Sequence, residues 1–508
     1  MVTVRFLFLV ILCQWKSVES LNILGIFVYE GPSHFFVFKQ YLEKLAEKGH
    51  NLTVISHFPR EEVIPNYHDI SLAGTIKIPQ GAMPMERSFW TIIKITDYIL
   101  AAGNNDCKVM LENESVQELW KSKRKFDLVI MEHFTSDCGL GLAYKLDAPV
   151  VQLKTSDFTP WQYGTFGIPF NPSYAPFIMT SNLKSSVYKR VEKTILHHLL
   201  IFKYMNAQKV DQETLGKYFD IPPLEQLSRE VKFLLLNHNF VLTGSRLLPS
   251  NVIEVGGYHV APPKPLPADI QKYVEESKNG VIYISFGTLL NEASLPEYKM
   301  KAILDALAEL PQRVVWKWNG QIFSGDRNKI YAAKWLPQND LLAHPNVHAF
   351  FSHSGHLSAI EAIFHGVPMI AMPVLGDQPA IADCVERSGL GVQIALNELT
   401  KDELLNKFRT VLASDFRARV KSLSRAYSAR PASAMSSAIF WTEFAAQHNV
   451  SARHPAADVP LHQYLCLDVI AVIGTFITIC ILILWKVLNL LLSFTRKFIN
   501  LNVKNKRD

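Results

Sequence analysis

The sequence predicts an α/β protein of two parallel-sheet domains facing a cleft, followed by one transmembrane helix. Three observations predict it. Short apolar runs alternate with helix-period segments in two separate series, the pattern of strand–helix–strand units. The two series are parted by Ala261-Pro262-Pro263-Lys264-Pro265-Leu266-Pro267, four prolines in seven residues, which mark a stiff linker. Near the C-terminus, Val469 to Trp485 carries no charge, and Val487–Phe494 is apolar again after Lys486.

The first series opens with the apolar run Leu21–Tyr29, followed by a helical pattern over Phe35–Lys48 and a second run at Leu52–Ser56. Phe126–Met131, Pro149–Leu153, Phe233–Asn237 and Val252–Val255 read as later strands of the same sheet. The second series comprises the strand Val281–Ser285, the helix Tyr298–Glu309, the strands Arg313–Trp318 and Val347–Phe351, the helix Leu357–Phe364 and the strand Met369–Ala371. In open sheets of this kind, ligands bind beyond the carboxyl ends of the strands. No repeat or low-complexity tract interrupts either series.

The two ends explain part of the 48% hydrophobic content. Arg5 precedes an apolar run from Phe6 to Cys13, and Val18 and Ser20 are small residues suited to cleavage after Ser20, so residues 1–20 read as a secretory signal peptide. Residues 465–494 are long enough, at about 1.5 Å per residue, to cross a bilayer of roughly 30 Å. The last 23 residues hold six Lys and Arg against Asp508, and the basic tail 495–508 is therefore expected on the cytoplasmic side. A signal peptide with one late span gives a single-pass type I topology and a luminal body. Lysines third and fifth from the end, Lys504 and Lys506, resemble a retrieval signal of endoplasmic reticulum membrane proteins.

Of the formal net charge of +6, the signal contributes +1, Asp468 −1 and the last 23 residues +5, so residues 21–463 keep only +1. That leaves no electrostatic footprint for nucleic acid. Outside the signal and the span, Cys107, Cys138 and Cys384 are scattered and make neither a disulfide framework nor a zinc site. Asn51, Asn113 and Asn449 head glycosylation sequons, Asn51 being the least suited because it starts a buried strand.

The most informative stretch is 335–378. Trp335-Leu336-Pro337-Gln338 offers a flat ring for a nucleobase and an amide for a base or ribose edge. Phe351-Ser352-His353-Ser354-Gly355 runs from a strand into a helix start, where backbone N–H groups suit a phosphate. Ser285-Phe286-Gly287-Thr288 repeats that geometry. Ser358 adds a hydroxyl, and Glu361 can accept from ribose hydroxyls. Asp377-Gln378 supplies the acceptor and donor mix that vicinal sugar hydroxyls need. Each feature alone is an ordinary cap, turn or core residue; together, in this order, they match the parts of a nucleotide sugar.

This segment resembles the donor-binding signature of the UDP-glycosyltransferase family, in the wording of its animal, insect-like branch. Similar family phrases occur at Gly167-Ile168-Pro169-Phe170-Asn171-Pro172-Ser173-Tyr174, at Val255-Gly256-Gly257-Tyr258-His259 and at Trp441-Thr442-Glu443-Phe444. The resemblance covers nearly the whole chain and implies the GT-B fold of two Rossmann-like domains. It implies an acceptor-binding domain at 21–257, a linker at 258–270 and a UDP-sugar-binding domain at 271–445. A juxtamembrane segment at 446–464 follows, and a helix around Ser433–Phe444 packs back on the first domain. It also implies His34, in Gly31-Pro32-Ser33-His34, as the general base. The acid that orients it follows Phe126-Asp127-Leu128-Val129-Ile130-Met131, where Glu132 stands in place of the usual Asp; Asp137 is the other candidate.

No Asp-x-Asp occurs, so no metal and no cofactor is expected besides the UDP-sugar co-substrate. The implied reaction inverts the sugar as UDP leaves, and its acceptors are small lipophilic hydroxyl compounds. Glucose is the favoured sugar and glucuronate the alternative. Phe158, Trp161, Tyr163, Phe166, Phe170 and Tyr174 suit either a greasy acceptor or the core. The chain departs from the family at Ser354, where two glycines are usual, and at His356, Ala359 and Ile360. Ser354 and Glu132 motivate an alternative, a binding protein that kept the fold without turnover. A homo-oligomer is compatible with all of these readings.

Overall fold

The computed structural model describes residues 20–76, 88–175, 186–287, 295–318 and 325–504. The expected signal peptide, Thr288 and Lys506 fall outside these residues. The chain divides into a body up to Arg453 and a separate C-terminal segment from His454.

The body holds two all-parallel sheets. The first has seven strands in the order β3-β2-β1-β4-β5-β6-β7: β1 Asn22–Phe27, β2 Asn51–Ser56, β3 Tyr67–Ser71, β4 Leu128–Glu132, β5 Val150–Lys154, β6 Phe233–Leu236 and β7 Val252–Glu254. The second has six in the order β10-β9-β8-β11-β12-β13: β8 Val281–Ser285, β9 Arg313–Lys317, β10 Ile330–Ala333, β11 Val347–Ser352, β12 Met369–Ala371 and β13 Gly391–Gln393. Every residue of β4, β5, β6, β8 and β12 is buried. A parallel strand covered on both faces reads as a continuous apolar run, which is why these segments stand out in the sequence.

The helix Ala434–Gln447 leaves the second sheet and packs on the first. Ala438 and Ala445 are buried in the apolar cluster formed by Phe35, Phe38 and Leu42 from the helix Pro32–Glu47 and by Val151 and Leu153 from β5. Glu443 accepts from His50 at 2.9 Å and pairs with Lys48 at 2.6 Å, while Thr442 shares a hydrogen bond with Tyr41. The sequence-based expectation for this helix therefore matches the structure.

The cysteines correct an expectation. Cys107 and Cys138 are joined by a disulfide, with Cα atoms 5.5 Å apart. The long helix Phe89–Glu112 crosses the start of the helix Cys138–Lys145, and both cysteines lie in one apolar cluster. A packing of two helices that far apart in sequence leaves no mark in cysteine spacing. Cys384 is free and buried.

The C-terminal segment contains the helix Leu467–Lys504, and Leu467–Lys497 is long and apolar enough to cross a membrane.

Candidate functional site

Strand order assembles the first half of the site. β1, β4 and β5 are neighbours, with Ile26 opposite Met131 and Glu132 opposite Leu153, so their carboxyl ends lie side by side. After β1 the chain turns at Gly31 into a helix that begins with Pro32, a residue well suited to a first helical position. His34 therefore lies in the first turn, above the end of β4. Its Nδ1 is 2.5 Å from Glu132 Oε1, and Thr155 Oγ1, just past β5, is 3.3 Å from both atoms. With Nδ1 donating to the carboxylate, Nε2 carries the lone pair. The rings of Phe134 and Tyr29 flank the imidazole at 4.5 and 4.8 Å between centroids.

The two candidate partners of His34 separate in space. Asp137 is buried away from it; its Oδ2 accepts from Gln208 at 2.6 Å and its Oδ1 lies 3.7 Å from His133. Burial raises the Asp137 carboxyl to about 6.

The second sheet contributes the other half. His353 follows β11, and its ring occupies a slot between Gly287 and Gly355. A Cβ built on either glycine would fall 2.7 or 2.8 Å from His353 Nε2. Both glycines are therefore required by the imidazole. Gly287 also has a φ of +80°, which a side chain would strain. Burial, aided by Lys317, lowers His353 to about 4, so the ring is neutral near pH 7 and has one N–H to donate. Ser285 is buried, and its Oγ accepts from the Gly287 N–H at 3.4 Å.

Ser354 adopts a φ of +65°, its side chain is fully buried, and its Oγ has no hydrogen-bond partner. A non-glycine residue in this region costs about 1–2 kcal/mol. The departure from two glycines is thus a real local strain rather than a silent replacement.

Gln338, Ser358 and Glu361 form one network. Gln338 Nε2 donates to Ser358 Oγ at 3.1 Å and to Glu361 Oε2 at 2.7 Å, and the Tyr283 hydroxyl donates to Gln338 Oε1 at 3.2 Å. Burial raises Glu361 to about 7, with Gln338 opposing. Trp335 is 67% exposed, which removes the core-aromatic reading and leaves a ring face available for stacking. Lys317 Nζ lies 5.2 Å from that ring and donates to Gly287 O at 2.9 Å.

Asp377 is half-buried at the mouth of the helix Gln378–Ser388; burial raises its carboxyl to about 6, opposed by His34 and Lys154 across the cleft. Gln378 is buried, and its Oε1 accepts from the backbone N–H groups of Val374 and Leu375 at 2.8 and 3.0 Å. Its carbonyl oxygen thus already shapes the loop in front of Asp377.

Thr155, Tyr283, Lys317 and Lys154 were not among the sequence-based candidates. Lys154 had a signal: a lysine closing a buried strand. Of the aromatics in 158–178, Phe158, Trp161, Tyr163 and Phe166 fill the core, and Tyr174 is 60% exposed. Among the sequon asparagines, Asn51 and Asn449 are exposed; Asn113 is partly buried and caps a helix through the Val116 N–H. Among the described residues, no group of three or more His, Cys, Asp or Glu has the geometry to hold a metal.

Comparison with known proteins adds an independent line. Residues 26–505 match the family model described as UDP-glucoronosyl and UDP-glucosyl transferase. The chain is 33% identical to UDP-glucosyltransferase 2 of Dactylopius coccus over 91% of this chain and 92% of that one. It is 31% identical to UDP-glucuronosyltransferase 1A9 of Homo sapiens over 86% of each. Among solved structures, a UDP-glucose:anthocyanidin 3-O-glucosyltransferase in complex with UDP aligns with a TM-score of 0.56 at 16% identity, covering 84% of this chain and 98% of that one. The glycosyltransferase VinC in complex with dTDP aligns with a TM-score of 0.58 at 17% identity, over 84% and 99%.

Proposed function

Because this chain belongs to the UDP-glycosyltransferase family, with a GT-B fold of two facing sheets, we propose that it transfers a hexose, glucose by preference, from a UDP-sugar to a hydroxyl group of a small lipophilic acceptor. The observation that carries this reading is the 2.5 Å contact of His34 Nδ1 with Glu132 Oε1, at strand ends that face Asp377. His34 Nε2 takes the acceptor proton as the acceptor oxygen attacks the anomeric carbon. The bond to UDP breaks on the opposite face, so the configuration inverts. Glu132 holds the imidazole in the useful tautomer and stabilises its cation.

On the donor side, Trp335 stacks on the base, Gln338 and Glu361 meet the base and ribose, and the loops around Gly287 and Gly355 receive the diphosphate. The neutral His353 N–H and the backbone N–H groups stabilise the departing charge without a metal. Asp377, with the amide of Gln378, takes the sugar hydroxyls. A second reading, glucuronate as the sugar, is favoured by the human relative named for that activity.

The same proposal includes a single-pass type I protein of the endoplasmic reticulum membrane with a luminal body. The apolar helix Leu467–Lys497 supports the anchor, and the Cys107–Cys138 disulfide suits an oxidising compartment. Changing Lys504 and Lys506 to Ser should let the protein leave that compartment, and unchanged retention in a localisation assay would remove the retrieval signal from the proposal.

The test of transfer is UDP release from membranes carrying the chain. UDP-glucose or UDP-glucuronate is supplied in parallel with phenols, flavonoids and steroids. Turnover that His34→Ala abolishes, with UDP binding retained, is expected; turnover that survives the substitution would overturn the assignment of the base.

A further inference from the structure

The backbone nitrogen of Leu21, one residue before β1, donates to Nδ1 of His50 at 3.2 Å. A backbone N–H can only donate, so Nδ1 carries the lone pair and the imidazole proton sits on Nε2. Nε2 then donates to Glu443 Oε1 at 2.9 Å, and Lys48 pairs with the same oxygen at 2.6 Å. His50 is fully buried. Glu443 belongs to the helix Ala434–Gln447, which docks on the first sheet. The Leu21 side chain is buried in the same cluster as Ala438 and Ala445 of that helix, whereas Ser20 is exposed. A hydrogen-bonded line therefore runs from position 21, through one imidazole, to the helix that ties the two halves together. It starts at the bond that the small residues Val18 and Ser20 mark for cleavage.

We propose that cleavage after Ser20 is a maturation step as well as the removal of a leader: the new α-ammonium of Leu21 docks on His50 and tightens the clasp to Glu443. This rests on the reading of residues 1–20 as a signal peptide. Hydrolysis of the Ser20–Leu21 peptide bond, by the protease that removes such leaders, consumes one water. Ser20 leaves with a carboxylate, and Leu21 keeps an amine that is protonated near pH 7, since α-amino groups titrate at about 8. The donor to Nδ1 changes from an amide N–H to an N⁺–H, and a charge-assisted bond is roughly twice as strong as a neutral one. Ser20 is exposed, so its departure leaves the other two N–H groups toward water, and little desolvation opposes the gain. The charged and titratable groups around this nitrogen are His50 and Lys48 before β2, Glu443 on the docked helix, and Asp127 before β4. Asp127 Oδ2 accepts from the next N–H, that of Asn22, at 2.7 Å. The bond to His50 Nδ1 favours the charged amine, so its folded value lies above its unfolded one. The added stability is therefore fully present below about 8 and is lost as pH rises through the folded value.

The test uses the full chain, purified in detergent. N-terminal sequencing should return Leu21 as the first residue, and any other terminus would overturn the proposal. A Ser20→Leu chain, which loses the small residue before the cut, should keep its leader and melt about 2 °C below the natural chain at pH 7. That gap should close as pH rises to about 9.5, where the amine is neutral while lysine side chains, which titrate near about 10.4, still carry charge. A gap that is absent at pH 7, or unchanged up to about pH 9.5, would overturn the proposal. Glu443→Gln, made in the cleaved chain, reads the same line without blocking the cut and serves if Ser20→Leu fails to fold. Its deficit in melting temperature against the natural chain should shrink over the same pH range. A deficit independent of pH, the mark of a purely structural role, would overturn the proposal as well.

Discussion

The two faces of the cleft pair their polar groups differently, although the second face also buries the unpaired Ser354 Oγ and His356 ring nitrogens. On the face from the second sheet, Gln338, Ser358, Glu361 and Tyr283 are already joined by hydrogen bonds, and His353 is wedged between two glycines. On the face from the first sheet, the Lys154 ammonium and both polar atoms of Gln152, on the same side of β5, are buried with no hydrogen-bond partner. His34, Glu132 and Thr155 are paired with one another there, and Asp157 with Arg246. A satisfied network is a rigid, preformed surface.

The largest expected effect tests the paired group on the first face. Glu132→Gln should lower kcat by about 10²-fold or more, in line with the contribution of positioned acid–base groups. Asp137→Asn should leave kcat within a few-fold and act on thermal stability, because Asp137 bonds Gln208 rather than His34. Steady-state rates and melting curves for the two variants decide it; the reverse outcome would break the distinction between them.

Next, Gly355→Ala and Gly287→Ala should each weaken UDP binding by displacing His353, with Gly287→Ala the more harmful because its φ is also positive. A loss of about ten-fold, read by UDP titration, is expected from about 1.4 kcal/mol of misfit; unaltered affinity would mean the second face is softer than its packing.

A pH series sharpens the same point. Burial raises Glu361 to about 7, so its carboxylate, and with it the ribose contact proposed above, is lost as pH falls through that value. UDP affinity should rise between about pH 6 and pH 8, and Glu361→Gln should flatten that rise.

The smallest effect belongs to Ser354→Gly. It relieves the left-handed strain and removes a buried unpaired hydroxyl. The melting temperature should rise by an amount equivalent to about 1 kcal/mol, with UDP affinity kept or improved. A large loss of affinity would instead make Ser354 a direct contact.

Much of this was legible in the sequence where burial is uniform. β8 and β12 match their expected limits because all their residues are buried and apolar runs mark both ends. The edge strands β3, β10 and β13 were missed: each has one side open, and β3 reads Tyr67-His68-Asp69-Ile70-Ser71 with only two residues buried. The long helix Val187–Leu215 buries polar residues such as Lys193, His197 and Asp211 along with its leucines, which blurs its period. Gln338, Ser358 and Glu361, which the structure joins in one network, stood out because they lie close together in sequence. The choice between Glu132 and Asp137 did not, since it depends on which way a side chain turns after β4.

The helix Ala434–Gln447 has one more consequence. The chain passes from the first half to the second through 261–267 and passes back when this helix docks on the first sheet. Two crossings act as a double-leaf hinge: opening and shutting about one axis is easy, while twist and sliding are resisted. A single protease cut in the proline segment would therefore leave the halves clasped by the docked helix.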